Sequence, residues 1–122
     1  MARILVVDDQ EEVAELVQAM LADAGHAAQA VHSGQAALDQ LKRTAYDLVV
    51  CDVRMPDVDG RAVFRTVARL RPPRPVVLFM TGYGDSPAES EFLQTTGAVV
   101  LAKPLGIDEL LARVRRHLLE TR

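Results

Sequence analysis

Tryptophan is absent, and cysteine occurs once, at Cys51. A single thiol excludes an intrachain disulfide framework and fits a reducing, cytoplasmic setting. No apolar run approaches the ~18–20 residues needed to cross a bilayer, so membrane insertion is not expected. The opening MARILVVDD turns acidic too early for a secretory signal. Positive charge is not in excess: 14 basic residues stand against 17 acidic ones, a net charge of −3. That balance offers no broad attraction to nucleic acid or anionic lipid, and direct nucleic-acid binding is not expected. Lysine is scarce, with 2 Lys beside 12 Arg, so Lys103 draws notice. No linker or low-complexity tract breaks the chain. Its 122 residues, 49% apolar, suit one globular domain over residues 1–122, since domains commonly hold ~100–150 residues.

Short β-like runs alternate with helical patterns. Arg3–Val7 (RILVV) is a predicted strand. Val13, Leu16, Val17, Met20, Leu21 and Ala24 recur at helical spacing, with Gly25 just past the end. Ala27–Val31 is a weaker strand, and Ala36, Ala37, Leu38 and Leu41 mark a second helix. Asp47–Cys51 is the third strand, and Met55–Gly60 is loop chemistry. A third helix carries Val63, Phe64, Val67 and Leu70, closed off by Pro72, Pro73 and Pro75. Val76–Met80 is the fourth strand, Ser86–Thr95 a polar helix, Ala98–Ala102 the fifth strand and Ile107–Leu118 the last helix. Strands separated by helices imply crossover connections and a parallel sheet. RILVV, DLVVC and PVVLFM are apolar almost throughout, which suits strands covered on both faces.

Polar residues gather at one kind of place. Asp8 and Asp9 follow the first strand, Asp52 the third, Thr81 the fourth and Lys103 the fifth. In a parallel sheet these are all carboxyl ends, the edge where open α/β sheets bind ligands. Each residue alone has a plainer explanation. Asp9 with Glu12 resembles a capping box, Asp52 and Thr81 suit turns, and Lys103 suits a surface. Together they form a cluster of three mutually repelling carboxylates, one hydroxyl and one lysine. A divalent, oxygen-seeking cation such as Mg²⁺ would settle that charge. His26, His32 and His117 match no zinc spacing. Carboxylates, Mg²⁺, a hydroxyl and a lysine suit phosphoryl transfer, which needs positioning and charge neutralisation above all. Asp52, alone at a central strand's end, is the best candidate nucleophile. Asp8 and Asp9 would hold the metal.

The pieces ILVVDDQ, DLVVCDVRMPDVDG, VVLFMTGY and LAKPL together resemble the response-regulator receiver domains of bacterial two-component signalling, chemotaxis-regulator-like, from Arg3 to about Leu118. The resemblance implies a flavodoxin-like (βα)5 fold with a five-stranded parallel sheet of order 2-1-3-4-5. It implies that Asp52 accepts a phosphoryl group from a histidine kinase or a phosphotransfer protein. Asp8, Asp9, Asp52 and the backbone carbonyl of Arg54 would hold Mg²⁺. Thr81 would be the switch hydroxyl, Lys103 the phosphate-binding lysine, and Lys103–Pro104 a cis peptide bond. The output would be a shift of the face formed by the fourth helix, the fifth strand and the last helix, about Ser86 to Leu119. The phosphodonor would be met by Gln10, Ala14, Leu105 and Gly106. The output partner is not legible.

Two features depart from the family pattern. Many receivers carry an aromatic ring three residues before the lysine, and here that position is Val100. The segment GAVVLAKP is also about one residue short. Tyr83 is a candidate substitute for the ring. Bulky Arg54 and Tyr83 would hinder hydrolysis of an aspartyl phosphate. The last helix resembles receivers of the hybrid-kinase or single-domain type. Two other readings are a phosphate-independent interaction module and a Mg²⁺-dependent phosphatase with an Asp nucleophile. The phosphatase would need a second Asp where Arg54 stands. A flavin-binding flavodoxin would need a hydroxyl- and glycine-rich loop where DDQEEV stands.

Overall fold

The apolar runs become the strands of one parallel sheet in the computed structural model, which describes residues 2–81, 99–102 and 106–120. The elements are β1 (Arg3–Val7), α1 (Glu11–Asp23), β2 (Ala27–Val31), α2 (Gly34–Arg43), β3 (Leu48–Asp52), α3 (Gly60–Ala68), β4 (Val76–Thr81), β5 (Val99–Ala102) and α4 (Ile107–Glu120). The sheet order is β2-β1-β3-β4-β5, and every pairing is parallel. The helix expected at Ser86–Thr95 and the cis bond expected at Lys103–Pro104 lie outside the described residues. Among those described, the cis peptide is Pro72–Pro73.

Two-residue alternation builds two cores from one set of strands. Ile4, Val6, Leu48, Val50, Leu78 and Met80 face one side, with Val17 and Leu21 of α1 and Leu110 and Val114 of α4. Leu5, Val7, Val49, Cys51, Val77 and Phe79 face the other, with Ala37 and Leu41 of α2 and Val63 and Val67 of α3. Both residue sets of each central strand are therefore buried, so these strands read as continuous apolar runs. β2 lies at the sheet edge with every residue partly or fully exposed, which explains its weaker apolar signal.

Helix ends follow local chemistry. Gly25, at φ 94°, closes α1: its N–H donates to the Ala22 carbonyl, and the His26 N–H donates to that of Leu21. This six-to-one and five-to-two pairing favours a residue without Cβ. Ser33 Oγ accepts from the Ala36 N–H at 3.1 Å and starts α2. Asp59 accepts from the Arg61 and Ala62 N–H groups at 3.0 and 3.3 Å and starts α3. The capping box that Asp9 and Glu12 resemble in the sequence does not form. The residue before α1 is Gln10, which makes no side-chain cap. Instead Glu11 and Glu12 lie in the first turn, where carboxylates suit the helix dipole. Among the described residues no helix is long and apolar enough to cross a membrane.

His26 ties the turn after α1 to the start of β1, its Nδ1 accepting from the Ala2 N–H at 3.2 Å. Burial pushes its pKa below the usual histidine value. The unfolded chain therefore binds this proton more readily than the folded one. The stability tied to neutral His26 is complete above the ordinary histidine range and declines as pH falls through it. Melting temperature measured at pH 7.5 and 5.5 should drop less in His26→Gln than in the parent chain. Equal drops would contradict this role.

Candidate functional site

The strand order reverses between β1 and β3, with β2 built outward on one side and β4 and β5 on the other. Ligands of open α/β sheets bind outside the carboxyl ends of the strands at such a switch point. The register pairs Val7 with Cys51, so the next residue on each strand, Asp8 and Asp52, stands at the reversal. Asp9 follows on the way into α1. Carboxylate oxygens of Asp8, Asp9 and Asp52 lie within 4.8 Å of one another. Asp8 is fully buried, Asp52 is 7% exposed, and Asp9 is exposed.

Backbone donors meet the two buried acids. The Gln10 N–H donates to Asp8 Oδ1 at 3.0 Å, and the Arg54 N–H approaches Asp52 Oδ1 at 3.4 Å. All three side chains offer hard oxygen atoms, and no His or Cys belongs to the cluster. This donor set fits Mg²⁺ rather than zinc or copper. β4 pairs Met80 with Asp52, which leaves Thr81 one residue beyond the acid along the neighbouring strand. β5 pairs Ala102 with Thr81. The backbone thus brings the ends of β1, β3, β4 and β5 to one edge. Lys103, Pro104, Tyr83 and Leu105 lie outside the described residues. Val100 lies in β5.

The loop from Val53 to Asp59 joins the acid to α3. Its Asp57 takes a left-handed φ of 64°, a conformation that Asp tolerates better than most residues. The loop closes where the Gly60 N–H donates to the Val53 carbonyl at 2.9 Å. Gly60 has no space for a side chain: a Cβ there would stand 2.6 Å from the Asp52 carbonyl oxygen and 2.8 Å from Val53 Cα. Sequence reading treats Gly60 only as a helix breaker, because a close backbone approach is invisible in a single chain. The Asp59-Gly60 pair before an apolar helical stripe is the signal for the α3 cap. One expected docking residue is corrected. Ala14 is fully buried and cannot meet a partner, whereas Leu16 on the same helix is 57% exposed. Gln10 and Gly106 are exposed.

A family model described as "Response regulator receiver domain" matches residues 4–115. Transcriptional regulatory protein ZraR of Escherichia coli (strain K12) is 39% identical over 118 residues, covering 97% of this chain and 26% of that protein. Response regulator protein FleR of Pseudomonas aeruginosa is 38% identical over 118 residues, covering 97% of this chain and 25% of that protein. The chain thus spans about a quarter of the length of these relatives. A solved CheY-like receiver domain protein from Methanospirillum hungatei JF-1 superposes with a TM-score of 0.90 at 25% identity, covering 99% of this chain and 96% of that one.

Cys51 sits beside the acid but on the opposite sheet face, fully buried in the α2–α3 core. Its Sγ donates to the Asp52 carbonyl at 3.2 Å. Burial, and then the negative charges of Asp52, Asp8 and Asp59, push its thiol pKa well above the usual range. A thiol held protonated is a poor nucleophile. Iodoacetamide should leave Cys51 unmodified in the folded chain and label it only in denaturant. Prompt labelling of the folded protein would contradict the burial.

Proposed function

Because the chain belongs to the response-regulator receiver domain family, we propose that residues 1–122 form one phosphoryl-accepting switch of a two-component pathway, with Asp52 as acceptor. The observation that carries this reading is the meeting of Asp8, Asp9 and Asp52 at the strand-order reversal. A carboxylate oxygen of Asp52 attacks the phosphorus of a phosphohistidine on a kinase or phosphotransfer protein. The new P–O bond forms as the P–N bond breaks. The bond's electron pair stays on the donor imidazole, which takes up a proton. In the reverse sense of the switch, water attacks phosphorus, the P–O bond to Asp52 breaks, and inorganic phosphate leaves.

The chain's own groups hold this chemistry in place. Asp8, Asp9, Asp52 and the Arg54 carbonyl are the groups assigned to Mg²⁺. When bound, the cation neutralises charge shared between phosphoryl oxygens and acids. Backbone donors orient the buried carboxylates, and the apolar core behind them excludes water from one side. By resemblance, Thr81 takes the switch hydroxyl role and Lys103 pairs with a phosphoryl oxygen. Val100 stands where the family carries a ring, and a cis Lys103–Pro104 bond is carried over from the family by resemblance alone. The domain is a phosphoacceptor assisting its own phosphorylation and dephosphorylation, not a turnover enzyme. Exposed Leu16 on α1 supports a docking face for the phosphodonor on that helix. The output is a population shift in the face around β5 and α4, passed to a protein partner without direct nucleic-acid contact. A cytoplasmic location follows from a kinase donor. Arg54 at the position of a second catalytic acid disfavours an Asp-nucleophile phosphatase.

Intact mass after incubation with acetyl phosphate and Mg²⁺ tests the assignment. One phosphoryl group should be gained, and the gain should disappear in Asp52→Ala and without Mg²⁺. A gain that persists in Asp52→Ala would overturn the acceptor assignment. No gain from acetyl phosphate or from phosphorylated kinase would favour the phosphate-independent interaction module.

A further inference from the structure

Gly34 opens α2, outside the acidic cluster and the loop after β3. A Cβ at this position would fall against the carbonyl oxygen of Val58, 2.7 Å from that carbonyl carbon and 2.7 Å from Val58 Cγ1. Carbon atoms in ordinary contact sit ~3.5–4.0 Å apart. The obstruction is backbone, so no rotamer change removes it. The bare face of Gly34 is therefore the seat of the Val58 peptide, two residues before α3.

Neither side of this contact can yield freely. α2 is held to the sheet by buried Ala37 and Leu41. The far end of the loop is held by Gly60, which has no clearance from the Asp52 carbonyl oxygen and Val53 Cα. Its near end is held by the Val53 N–H, which donates to the Met80 carbonyl at 3.3 Å. A push at Val58 must then be absorbed between residues 54 and 59. That stretch holds Pro56, with its fixed φ, buried Met55, left-handed Asp57 and Arg54, whose amide faces Asp52 Oδ1 at 3.4 Å.

We propose that Gly34 is a positioning residue for the phosphoacceptor loop. The absent side chain at the start of α2 lets the Val58 backbone seat, and that seat keeps the Arg54 main chain in place for the cation. This role rests on the proposed Mg²⁺-assisted phosphoryl transfer. It joins the edge-strand side of the fold, β2 and α2, to the loop that follows Asp52.

The test is Mg²⁺ titration by calorimetry, beside the Mg²⁺ dependence of phosphorylation by acetyl phosphate, in the parent chain, Gly34→Ala and Gly25→Ala. Gly25 has open space around it but a left-handed φ of 94°, so its substitution costs stability away from the site and controls for that loss. Gly34→Ala should weaken Mg²⁺ binding on the order of tenfold, since a shift of about 1 Å in a positioned group has large effects. Its phosphorylation rate should recover at saturating Mg²⁺. Gly25→Ala should lower the melting temperature and leave the Mg²⁺ half-saturation unchanged. Unchanged Mg²⁺ binding in Gly34→Ala, or an equal change in both variants, would overturn the proposal. If Gly34→Ala does not fold, Val58→Ala takes its place. In that variant the backbone contact persists, so hydrogen exchange decides: Mg²⁺ should slow amide exchange in the first turn of α2 together with residues 54–58, and protection of 54–58 alone overturns the role. A parent chain that binds Mg²⁺ but takes no phosphoryl group refutes the acceptor reading alone, and the calorimetric comparison still decides the role of Gly34. A parent chain that binds no Mg²⁺ overturns both.

Discussion

Electrostatic repulsion between two carboxylates held in an apolar sheet sets the terms for the rest of this molecule. Asp8 and Asp52 are both buried, with oxygens within 4.8 Å. Two unit charges at that separation repel by roughly 3–4 kcal/mol at an effective dielectric of about 20. One fully buried aliphatic side chain contributes about 1.5–3 kcal/mol. The repulsion therefore equals the contribution of one or two core residues, and the strands behind the acids supply many. Ile4, Val6, Leu48, Val50, Leu78 and Met80 are buried on one face alone. The sheet can hold acids at its edge because its interior is so thoroughly apolar.

Backbone donors reduce the repulsion. The Gln10 N–H meets Asp8, and the Arg54 N–H approaches Asp52 from the adjoining loop. Hydrogen bonds to ionised groups are worth about 1.5–3 kcal/mol when short, so the 3.0 Å contact at Asp8 counts for more than the 3.4 Å one at Asp52.

The loop after Asp52 links that electrostatic centre to packing. It is short, carries a left-handed Asp57 and ends in an Asp59 cap on α3. Two glycines bracket it, Gly34 from α2 and Gly60 at the head of α3. Each stands where backbone meets backbone. Such contacts are rigid because no side chain can turn aside, which suits a loop that must keep its main chain beside a carboxylate. Cys51 belongs to the same strand, but its side chain lies outside the acidic cluster. Alternation along β3 turns it into the opposite core.

Much of this was legible in the sequence. The apolar runs RILVV, DLVVC and PVVLFM announce strands covered on both faces, because continuous hydrophobicity is what two packed helical layers require. Asp8, Asp9 and Asp52 at strand ends announce a shared edge, because parallel strands place all their carboxyl ends together. The strand order came through resemblance, since periodicity says nothing about which strand neighbours which. Tertiary structure decided the rest. Asp9 and Glu12 spell a capping box, yet α1 begins at Glu11 after an uncapped Gln10, because Asp9 lies in the acidic cluster instead. Ala14 fits a docking face by position, yet packs fully inside, because the phase of α1 against the sheet is set by Val17 and Leu21. Gly34 shows nothing in one dimension: its importance comes from Val58, 24 positions away in sequence and pressed against it in space. Local patterns encode periodicity, ends and charge. Close approach between distant backbone segments exists only once the chain has folded.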